Sequence, residues 1–489
     1  WASWGLMRTP QAYEYALGSI TGILSGIALT VTLFTSPVPE SAGKLTVLNN
    51  PLFILALAAG TVVLCAFYVK DGAQWASFYG NQHVYTNGRI ASGSIQDRNG
   101  TTLFDCAEGQ YSDDKTTRIS TLHAIGDKQG NINTGAKNLF ADQLVGFSLI
   151  TGTSGTGNTI KLTLDANLNN AAYQAMAGRK GVAALYNYET GEILCMLSTP
   201  SFDPADDAEA AKVAAGDSNY DGAYLNRFLS GTYTPGSTFK LVTAAAALET
   251  LHNEDSFSYT CTGSLTLNGE KITCPSVHGT QDFATALANS CNGAFATLAT
   301  QVGGKTLEKY AKEAGLTSKV NVNGLNTAAG SFTAGTSDND VGWSGVGQYK
   351  DLVNPCAELT LMGCIAQGGS AATPRLLKSV TSSKGLPVAH VTTETSKIGW
   401  KADTCDKIRT LMHNNVTSNY SKNLDFGGLN VCAKSGTAEV GTSKPHAWFV
   451  GFVEDSAYPY AFVVVVENGG WGSSVAGGVA ASLLKAACQ

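Results

Sequence analysis

Four consecutive valines near the end of the chain, within residues 460–467, constrain the fold more than any other stretch. β-Branched residues favour extended backbone, and a run that is apolar on both faces needs cover on both faces of its sheet. Residues 460–467 therefore predict a central strand. Two other β-rich runs precede it, at 429–434 and 447–453, and a strand hairpin lies far upstream, at 181–188 and 192–198.

Helix-forming stretches lie among these strands. Asp165 is predicted to cap a helix at 166–177. The other predicted helices span residues 241–251, 282–298, 306–314, 355–365 and 475–488. Strands therefore occur at both ends of this segment, with helices between them. We expect one α/β domain at residues 165–489, whose sheet combines both ends of the segment.

The chain has 489 residues, which is too long for one ordinary core and indicates further domains. Residues 1–70 contain two uncharged apolar stretches, Ala16–Ser36 and Leu52–Tyr68, whose lengths fit a bilayer. They predict a membrane anchor of one or two transmembrane helices, although a buried core helix is the alternative for the first stretch. The stretch from Tyr85 to about Leu164 is polar and rich in glycine, threonine and aspartate, and a small pedestal or linker domain is predicted at residues 71–164.

The composition excludes some partners and limits others. A net charge of −6 gives no basic surface, so a nucleic-acid partner is not expected. The 11 cysteines are scattered without the close C-x-x-C pairs of a zinc site, so no metal is predicted. Cys261 and Cys274 bracket a short, polar, hairpin-like segment, and the sequence leaves open whether they form a disulfide or remain free.

Ser237 and Lys240 form the first candidate catalytic pair. Pro235 and Gly236 make a turn, and the alanine-rich stretch that follows predicts a helix beginning at about Ser237. Residues three apart on a helix are neighbours, and burial near a helix N-terminus disfavours the charged form of lysine. A neutral Lys240 could accept the proton of Ser237, which would make Ser237 an activated nucleophile.

The same four-residue spacing occurs three more times, so the spacing alone decides little. The competing pairs are Ser41 with Lys44, Ser112 with Lys115, and Ser482 with Lys485. Only Ser237 has a turn before it, an alanine-rich helix after it and two further motifs downstream.

The first of these motifs pairs Ser290 with Asn292, two residues apart on a short bend, which could relay a proton and hold a substrate amide. Its competitors are Ser337-Asp338-Asn339, which lies in a polar segment without an apolar framework, and Ser421-Lys422-Asn423. The other motif, Lys434-Ser435-Gly436-Thr437, is predicted at the end of a strand. Its ammonium and hydroxyl groups could bind a carboxylate.

The three motifs, in this order, resemble the signature of penicillin-binding proteins and serine β-lactamases. Residues 93–100 resemble the N-terminal box of the penicillin-binding proteins, and the segments 225–227, 345–348 and 447–451 are similar to other family segments. The chain is most similar to class B, the monofunctional transpeptidases, because no glycosyltransferase domain precedes the box. Departures are Ser92 where the box usually has arginine, Tyr349 where a glycine is usual, and two apolar stretches instead of one.

This resemblance implies a penicillin-binding transpeptidase fold: a central antiparallel sheet flanked by helices, a helical subdomain, an N-terminal membrane anchor and a small pedestal. It implies D,D-transpeptidation of peptidoglycan stem peptides through an acyl-enzyme on Ser237, and covalent binding of penicillin. Lys240 would be the base, Ser290 a proton relay, and Lys434 would assist. The implied substrate-binding residues are Asn292, Ser435, Gly436 and Thr437.

The resemblance implies no metal or organic cofactor. The implied partners are stem peptides, β-lactams and a membrane glycosyltransferase of the elongation or division machinery. The implied location is the bacterial cell membrane, with the catalytic domain outside the cytoplasm. The alternatives are a D,D-carboxypeptidase, a β-lactamase, and a β-lactam-sensing or scaffold protein of the same fold.

Overall fold

A five-stranded antiparallel sheet organises the second half of the chain in the computed structural model. The structure describes residues 51–77, 85–86, 89–90, 93–145, 147–148, 152–153, 157–389 and 391–488. The strands of these residues are, in chain order, β1 (Tyr85–Thr86), β2 (Arg89–Ile90), β3 (Ser94–Gln96), β4 (Thr102–Asp105), β5 (Gln110–Tyr111), β6 (Phe147–Ser148), β7 (Gly152–Thr153), β8 (Asn158–Leu162), β9 (Gly181–Asn187), β10 (Ile193–Thr199), β11 (Tyr259–Cys261), β12 (Ser264–Leu267), β13 (Glu270–Thr273), β14 (Gly279–Gln281), β15 (Asn321–Val322), β16 (Leu325–Asn326), β17 (Ser370–Ala372), β18 (Leu377–Ser382), β19 (Pro387–Ala389), β20 (Thr395–Lys397), β21 (Val431–Val440), β22 (Ser443–Val453) and β23 (Tyr460–Val466).

The α-helices of the described residues are α1 (Pro51–Ser77), α2 (Lys115–Ile125), α3 (Ala136–Leu139), α4 (Ala141–Val145), α5 (Ala166–Met176), α6 (Asp207–Ala214), α7 (Arg227–Ser230), α8 (Lys240–Thr250), α9 (Phe283–Ala288), α10 (Asn292–Val302), α11 (Gly304–Glu313), α12 (Asp338–Gly345), α13 (Pro355–Ala366), α14 (Ala402–Ser418) and α15 (Gly477–Ala487).

The valine-rich strand lies in the middle of the central sheet, as predicted. The strand order is β10-β9-β23-β22-β21, and every neighbouring pair is antiparallel. Val463 and Val464 point to opposite faces of the sheet, and both are fully buried because both faces are covered. The sheet therefore joins a hairpin before the helices to three strands after them, and the expectation that it combines both ends of the segment is confirmed.

Helices pack on each face of this sheet. On one face, α5 and α15 contribute Leu168 and Leu483 to a buried cluster with Val464. On the other face, α8 and α13 contribute Leu241 and Leu361 to a cluster with Val463. The Asp165 side chain accepts a hydrogen bond from the backbone N–H of Asn167 and caps α5, as predicted. The predicted central antiparallel sheet with flanking helices is thereby confirmed.

Two predicted boundaries were wrong, and both lie at candidate functional residues. The helix predicted at 282–298 is two helices, α9 and α10, with a break at 289–291. The strand predicted to end at Lys434 instead runs from Val431 to Val440. The third motif is therefore internal to a strand, where hydrogen bonds to β22 hold it in place.

A second sheet connects the predicted pedestal to a distant part of the chain. Its strand order is β19-β18-β8-β3-β4-β5, with β3 and β8 parallel. Residues 93–100 supply β3 and the turn after it, and Arg98 of this turn forms a 3.2 Å ion pair with Glu192. Glu192 also lies 3.4 Å from Arg375. The described part of residues 71–164 thus shares a sheet with residues 377–389, and the domain boundary at 164/165 stays a prediction.

The first predicted membrane stretch, Ala16–Ser36, lies outside the described residues. The second lies within α1, on which Leu55, Val62 and Val69 are exposed. Among the helices that the structure describes, none has both the length and the apolar character that a membrane span requires.

Arg227 and Glu467 form an ion pair, buried on the arginine side, next to the segment that leads to Ser237. Arg227 is 2% exposed, and its Nε donates to Glu467 at 2.8 Å. The Tyr233 hydroxyl donates to the same carboxylate oxygen at 3.0 Å. This carboxylate therefore joins α7, the segment before Ser237 and the end of β23.

We expect Arg227→Ala to lower the free energy of unfolding by about 1–3 kcal/mol, because the largely buried Glu467 carboxylate then keeps only the Tyr233 hydroxyl and a 3.6 Å ion pair with Lys180. Lys309→Ala is the control. It removes an ion pair to Glu313 in which the lysine is 64% exposed, and such pairs contribute at most about 0.5 kcal/mol. Urea unfolding of both variants measures the difference, and equal losses would contradict a structural role for the Arg227 pair.

Candidate active site

Ser237 lies on a 3-10 turn, Gly236–Thr238, that leads into α8. Gly236 has a φ of +56°, and its N–H donates to the carbonyl of Gly347 at 2.8 Å. A Cβ on Gly347 would meet the Gly236 carbonyl oxygen at 2.0 Å, so only glycine fits there. The Ser237 turn is thus held against residues 345–348, and Ser237 lies partly exposed in a cleft.

Lys240 is the first residue of α8 and is completely buried. Its Nζ donates to the Ser290 carbonyl at 2.6 Å and to Asn292 Oδ1 at 2.7 Å, and it lies within hydrogen-bonding distance of Ser290 Oγ, at 3.2 Å. Burial lowers the pKa of Lys240 to about 7, despite the opposing effect of the nearby Cys291 and Cys274. A substantial fraction of Lys240 is therefore neutral near physiological pH and able to accept a proton.

Ser290 is presented by the break between α9 and α10. It has a φ of +53°, its N–H donates to the Leu287 carbonyl at 3.0 Å, and the N–H of Cys291 donates to the Ala286 carbonyl at 2.9 Å. These two bonds form a Schellman motif, with serine in the left-handed position that glycine usually occupies. Asn292 begins α10, and its Nδ2 donates to the Thr273 carbonyl at 2.7 Å.

Lys434 reaches Ser290 from the central sheet. Its Nζ donates to Ser290 Oγ at 3.1 Å and to the Ser435 carbonyl at 3.0 Å. Burial and the neighbouring Lys240 lower the pKa of Lys434 well below its ordinary value. The Ser290 hydroxyl thus lies between two buried amines, each within hydrogen-bonding distance, and this arrangement is suited to proton relay.

The other three residues of the third motif line or border the cleft on β21. The Ser435 hydroxyl lies 2.9 Å from the Tyr420 hydroxyl, and the Thr437 hydroxyl accepts from the N–H of Gly472 at 3.1 Å. A Cβ on Gly436 would meet the Pro235 carbonyl oxygen at 2.6 Å. Absence of a side chain at Gly436 therefore lets β21 approach the turn that carries Ser237.

All eight predicted site residues meet at one place, around a cleft of about 830 Å³. The residues that line it directly include Ser237, Ser290, Asn292, Ser435 and Thr437. Lys240 and Lys434 lie beneath them, bonded to Ser290. The arrangement offers a nucleophilic hydroxyl, two buried amines and a relay hydroxyl, which are the parts that acyl transfer requires.

Among the described residues, the competing motifs do not reproduce this geometry. Ser112 precedes α2, whose first residue is Lys115, and the Lys485 ammonium donates to Asp425 at 3.2 Å. Ser337 was expected in a polar loop but caps α12, and the Asn339 side chain is buried against Glu270. Ser41 and Lys44 lie outside the described residues. Lys422 and Asn423, of the third competing motif, line the cleft. The two buried lysines, Lys240 and Lys434, nevertheless contact the hydroxyl of Ser290, which belongs to the favoured motif.

Two cleft residues were not predicted from the sequence. Tyr420 is buried, and its hydroxyl accepts from the N–H of Ser435 at 3.0 Å. Gln348 donates from Nε2 to the Thr437 carbonyl at 3.2 Å. The family-like segment 345–348 could have indicated Gln348, whereas no sequence signal marks Tyr420.

The structure also answers whether Cys261 and Cys274 form a disulfide. No disulfide joins any of the 11 cysteines, all of which lie in the described residues, so Cys261 and Cys274 are not bonded to each other. The Cys274 sulfur instead lies 3.8 Å from the Cys291 sulfur, beside the second motif.

Comparison with known proteins agrees with this geometry. A family model described as "Transpeptidase: Penicillin binding protein transpeptidase domain" matches residues 181–485. Peptidoglycan D,D-transpeptidase PbpA of Mycolicibacterium smegmatis is 30% identical over 376 residues, which cover 72% of this chain and 75% of the relative. PbpA of Mycobacterium tuberculosis is 29% identical over 377 residues, with the same coverage.

Solved structures share the fold. The imipenem acyl-enzyme complex of penicillin-binding protein A from M. tuberculosis superposes with a TM-score of 0.71 at 24% identity, covering 81% of this chain and 98% of that one. A chain of a peptidoglycan synthase complex that coordinates polymerization and crosslinking has a TM-score of 0.61 at 24% identity, covering 72% of this chain and 69% of that one.

Proposed function

Because the chain belongs to the penicillin-binding protein transpeptidase family, we propose that it is a class B serine D,D-transpeptidase. It cross-links peptidoglycan stem peptides through an acyl-enzyme on Ser237, and it binds penicillin covalently at the same serine. The observation that carries the proposal is the buried Lys240 amine, one helical turn from Ser237 and bonded to both Ser290 and Asn292.

The acylation step uses the groups in the cleft. Ser237 Oγ attacks the penultimate D-alanine carbonyl, and Lys240 takes the serine proton. The backbone N–H groups of Ser237 and Thr437 stabilise the oxyanion, and one such donor contributes about 3–4 kcal/mol. Ser290, between Lys240 and Lys434, passes a proton to the amine of the departing D-alanine, which leaves an ester on Ser237.

The remaining groups bind the donor and release the product. Asn292 holds the donor peptide amide, while Ser435 and Thr437 bind the terminal carboxylate across Gly436. An amine of a neighbouring stem peptide then attacks the ester carbonyl, loses a proton to the same lysine and serine system, and frees the Ser237 hydroxyl. No step requires a metal or organic cofactor.

The proposal extends to location and partners. The apolar stretch Ala16–Ser36, which lies outside the described residues, anchors the protein in the bacterial cell membrane. The catalytic domain lies outside the cytoplasm, where peptidoglycan is assembled. A membrane glycosyltransferase of the elongation or division machinery supplies the nascent glycan. The structural likeness to a chain of a synthase complex that couples polymerization to crosslinking supports this partner.

A stem-pentapeptide assay tests the proposed reaction. The full chain is incubated with a donor pentapeptide and an acceptor amine, and mass spectrometry quantifies released D-alanine and cross-linked peptide. We expect cross-linked product to account for most released D-alanine at saturating acceptor. Release of D-alanine that does not depend on the acceptor amine would identify a D,D-carboxypeptidase. No release of D-alanine by a folded protein would favour a sensor or scaffold.

Asn292→Ala is expected to lower the rate of penicillin acylation by about 10²-fold, because it removes a substrate contact and one acceptor of the Lys240 amine. Asn339→Ala, in the competing motif, is the matched control and should leave the rate within about threefold of wild type. Stopped-flow labelling with fluorescent penicillin measures both rates. A larger loss of rate in Asn339→Ala than in Asn292→Ala would assign the role of the second motif to residues 337–339, at the start of α12.

Acylation is expected to accelerate as pH rises through the Lys240 pKa of about 7. Only neutral Lys240 can accept the Ser237 proton, so the rate should increase about tenfold per pH unit below that pKa and level off above it. Acylation rates between about pH 5.5 and pH 9 measure the profile. A rate that is flat or falls with pH across this range would contradict the assignment of Lys240 as base.

A further inference from the structure

Four potential metal ligands converge beside the second motif, although they come from separate parts of the sequence. Cys261 ends β11, Cys274 follows β13, His278 precedes β14, and Cys291 is the residue before α10. Each offers one ligand atom, and these four atoms all lie within 4.8 Å of one another. Cys261 and Cys291 are buried, whereas Cys274 and His278 are partly exposed.

The spacing of the sulfurs fits a tetrahedral site. Zinc–sulfur bonds of about 2.3 Å at tetrahedral angles place two sulfurs about 3.8 Å apart. The Cys274 and Cys291 sulfurs lie 3.8 Å apart. A disulfide would require them at about 2.05 Å, so the arrangement matches two ligands of one ion better than a covalent bond.

Two further observations, on His278 and on Cys274, agree with metal binding. No described residue forms a hydrogen bond with the buried Nδ1 of His278, and a buried polar atom without a partner is uncommon unless something else satisfies it. The backbone N–H of Gly293 donates to the Cys274 sulfur at 3.3 Å, and bonds of this kind stabilise metal-bound thiolates.

We propose that Cys261, Cys274, His278 and Cys291 form a structural zinc site. Three thiolates and one imidazole are a ligand set that zinc prefers, and four protein ligands leave no position for water or substrate. This closed coordination indicates a structural ion.

The local fold supplies a reason for such a link. The hairpin of β12 and β13 has few buried residues, since Ile272 alone among its eight strand residues is buried. A small polar hairpin is marginally stable without further support. The zinc ion ties this hairpin and the short pair β11–β14 to the start of α10.

The position of Cys291 connects the zinc site to the cleft. Cys291 lies between Ser290 and Asn292, and the Asn292 side chain bonds to the carbonyl of Thr273, the residue before Cys274. The ion therefore fixes the segment that presents the relay hydroxyl and the amide. Metal binding requires no transpeptidase activity, so its test does not depend on the proposed function.

Metal analysis of the full chain, purified without chelator, tests the site. We expect about one zinc ion per chain by elemental mass spectrometry. Zinc should be lost in Cys261→Ser and His278→Ala and retained in Cys405→Ser, which changes a buried thiol outside the cluster. Cobalt exchanged into the wild-type protein should show thiolate charge transfer and the visible bands of tetrahedral cobalt, a readout that requires no variant to fold.

Stability gives a second, matched measurement. A chelator should lower the thermal midpoint of the wild type and of Cys405→Ser, but not of Cys261→Ser, which has no zinc to lose. Wild-type protein that neither contains zinc nor takes up zinc or cobalt would overturn the proposal. A Cys274–Cys291 disulfide found by peptide mapping of metal-free, folded protein would also overturn it.

Discussion

Ser237→Ala is expected to abolish penicillin labelling, with a fall in acylation rate of more than about 10³-fold. Removal of the nucleophile from a site of this kind lowers the rate by up to about 10⁶-fold, because no other group can form the ester. The Ser237 side chain lies partly exposed at the cleft, so the substitution leaves the core unchanged. Gel fluorescence after treatment with a fluorescent penicillin measures the loss.

Three matched serines provide the controls. Ser41→Ala, Ser112→Ala and Ser482→Ala each remove the hydroxyl of a competing Ser-x-x-Lys pair and should label as wild type does. Circular dichroism and thermal unfolding should show that Ser237→Ala remains folded. Loss of label in one of the three controls, with label retained in folded Ser237→Ala, would move the nucleophile to another pair.

Lys240→Ala is expected to lower acylation by about 10²- to 10⁴-fold, the usual contribution of a general base. The Lys240 amine is fully buried and donates to Ser290 and Asn292, so its removal takes away the proton acceptor and the link between two motifs. Stopped-flow acylation at several pH values measures the loss. The rate that remains should no longer change with pH near 7, the approximate pKa of Lys240.

Lys240→Arg separates the role of Lys240 as a proton acceptor from its role as a hydrogen-bond donor to Ser290 and Asn292. Arginine can donate to Ser290 and Asn292 but stays protonated, so it should not restore acylation. Lys485→Ala, which removes the lysine of the competing pair on α15, should leave the rate within about threefold of wild type. Recovery of most of the wild-type rate in Lys240→Arg would show that positive charge, and not a neutral amine, is required.

Elements with strong local signals could be predicted from the sequence. The four valines of residues 460–467 predicted the central strand because such a run is stable only with both faces covered. Asp165 predicted the start of α5 because its side chain caps the helix. The catalytic motifs were identified because Ser237, Ser290 and Lys434 each lie in a recognisable local pattern.

The remaining features depend on tertiary contacts. Ser290 adopts a left-handed conformation, which serine adopts far less readily than glycine, so the break in the predicted helix had no glycine to mark it. β21 continues past Gly436 because the paired strand β22 holds it. Tyr420 approaches Ser435 only in the folded chain. No two of the four candidate zinc ligands have the close C-x-x-C spacing that marks a zinc site in a sequence.

Mass spectrometry of the protein after reaction with benzylpenicillin shows directly whether Ser237 is the residue that is acylated. We expect the full chain to gain the mass of one intact penicillin molecule, since opening of the β-lactam ring expels no atoms. Peptide mapping should place the added mass on Ser237. An unreacted, folded protein, or an adduct located on any other residue, would contradict acylation of Ser237.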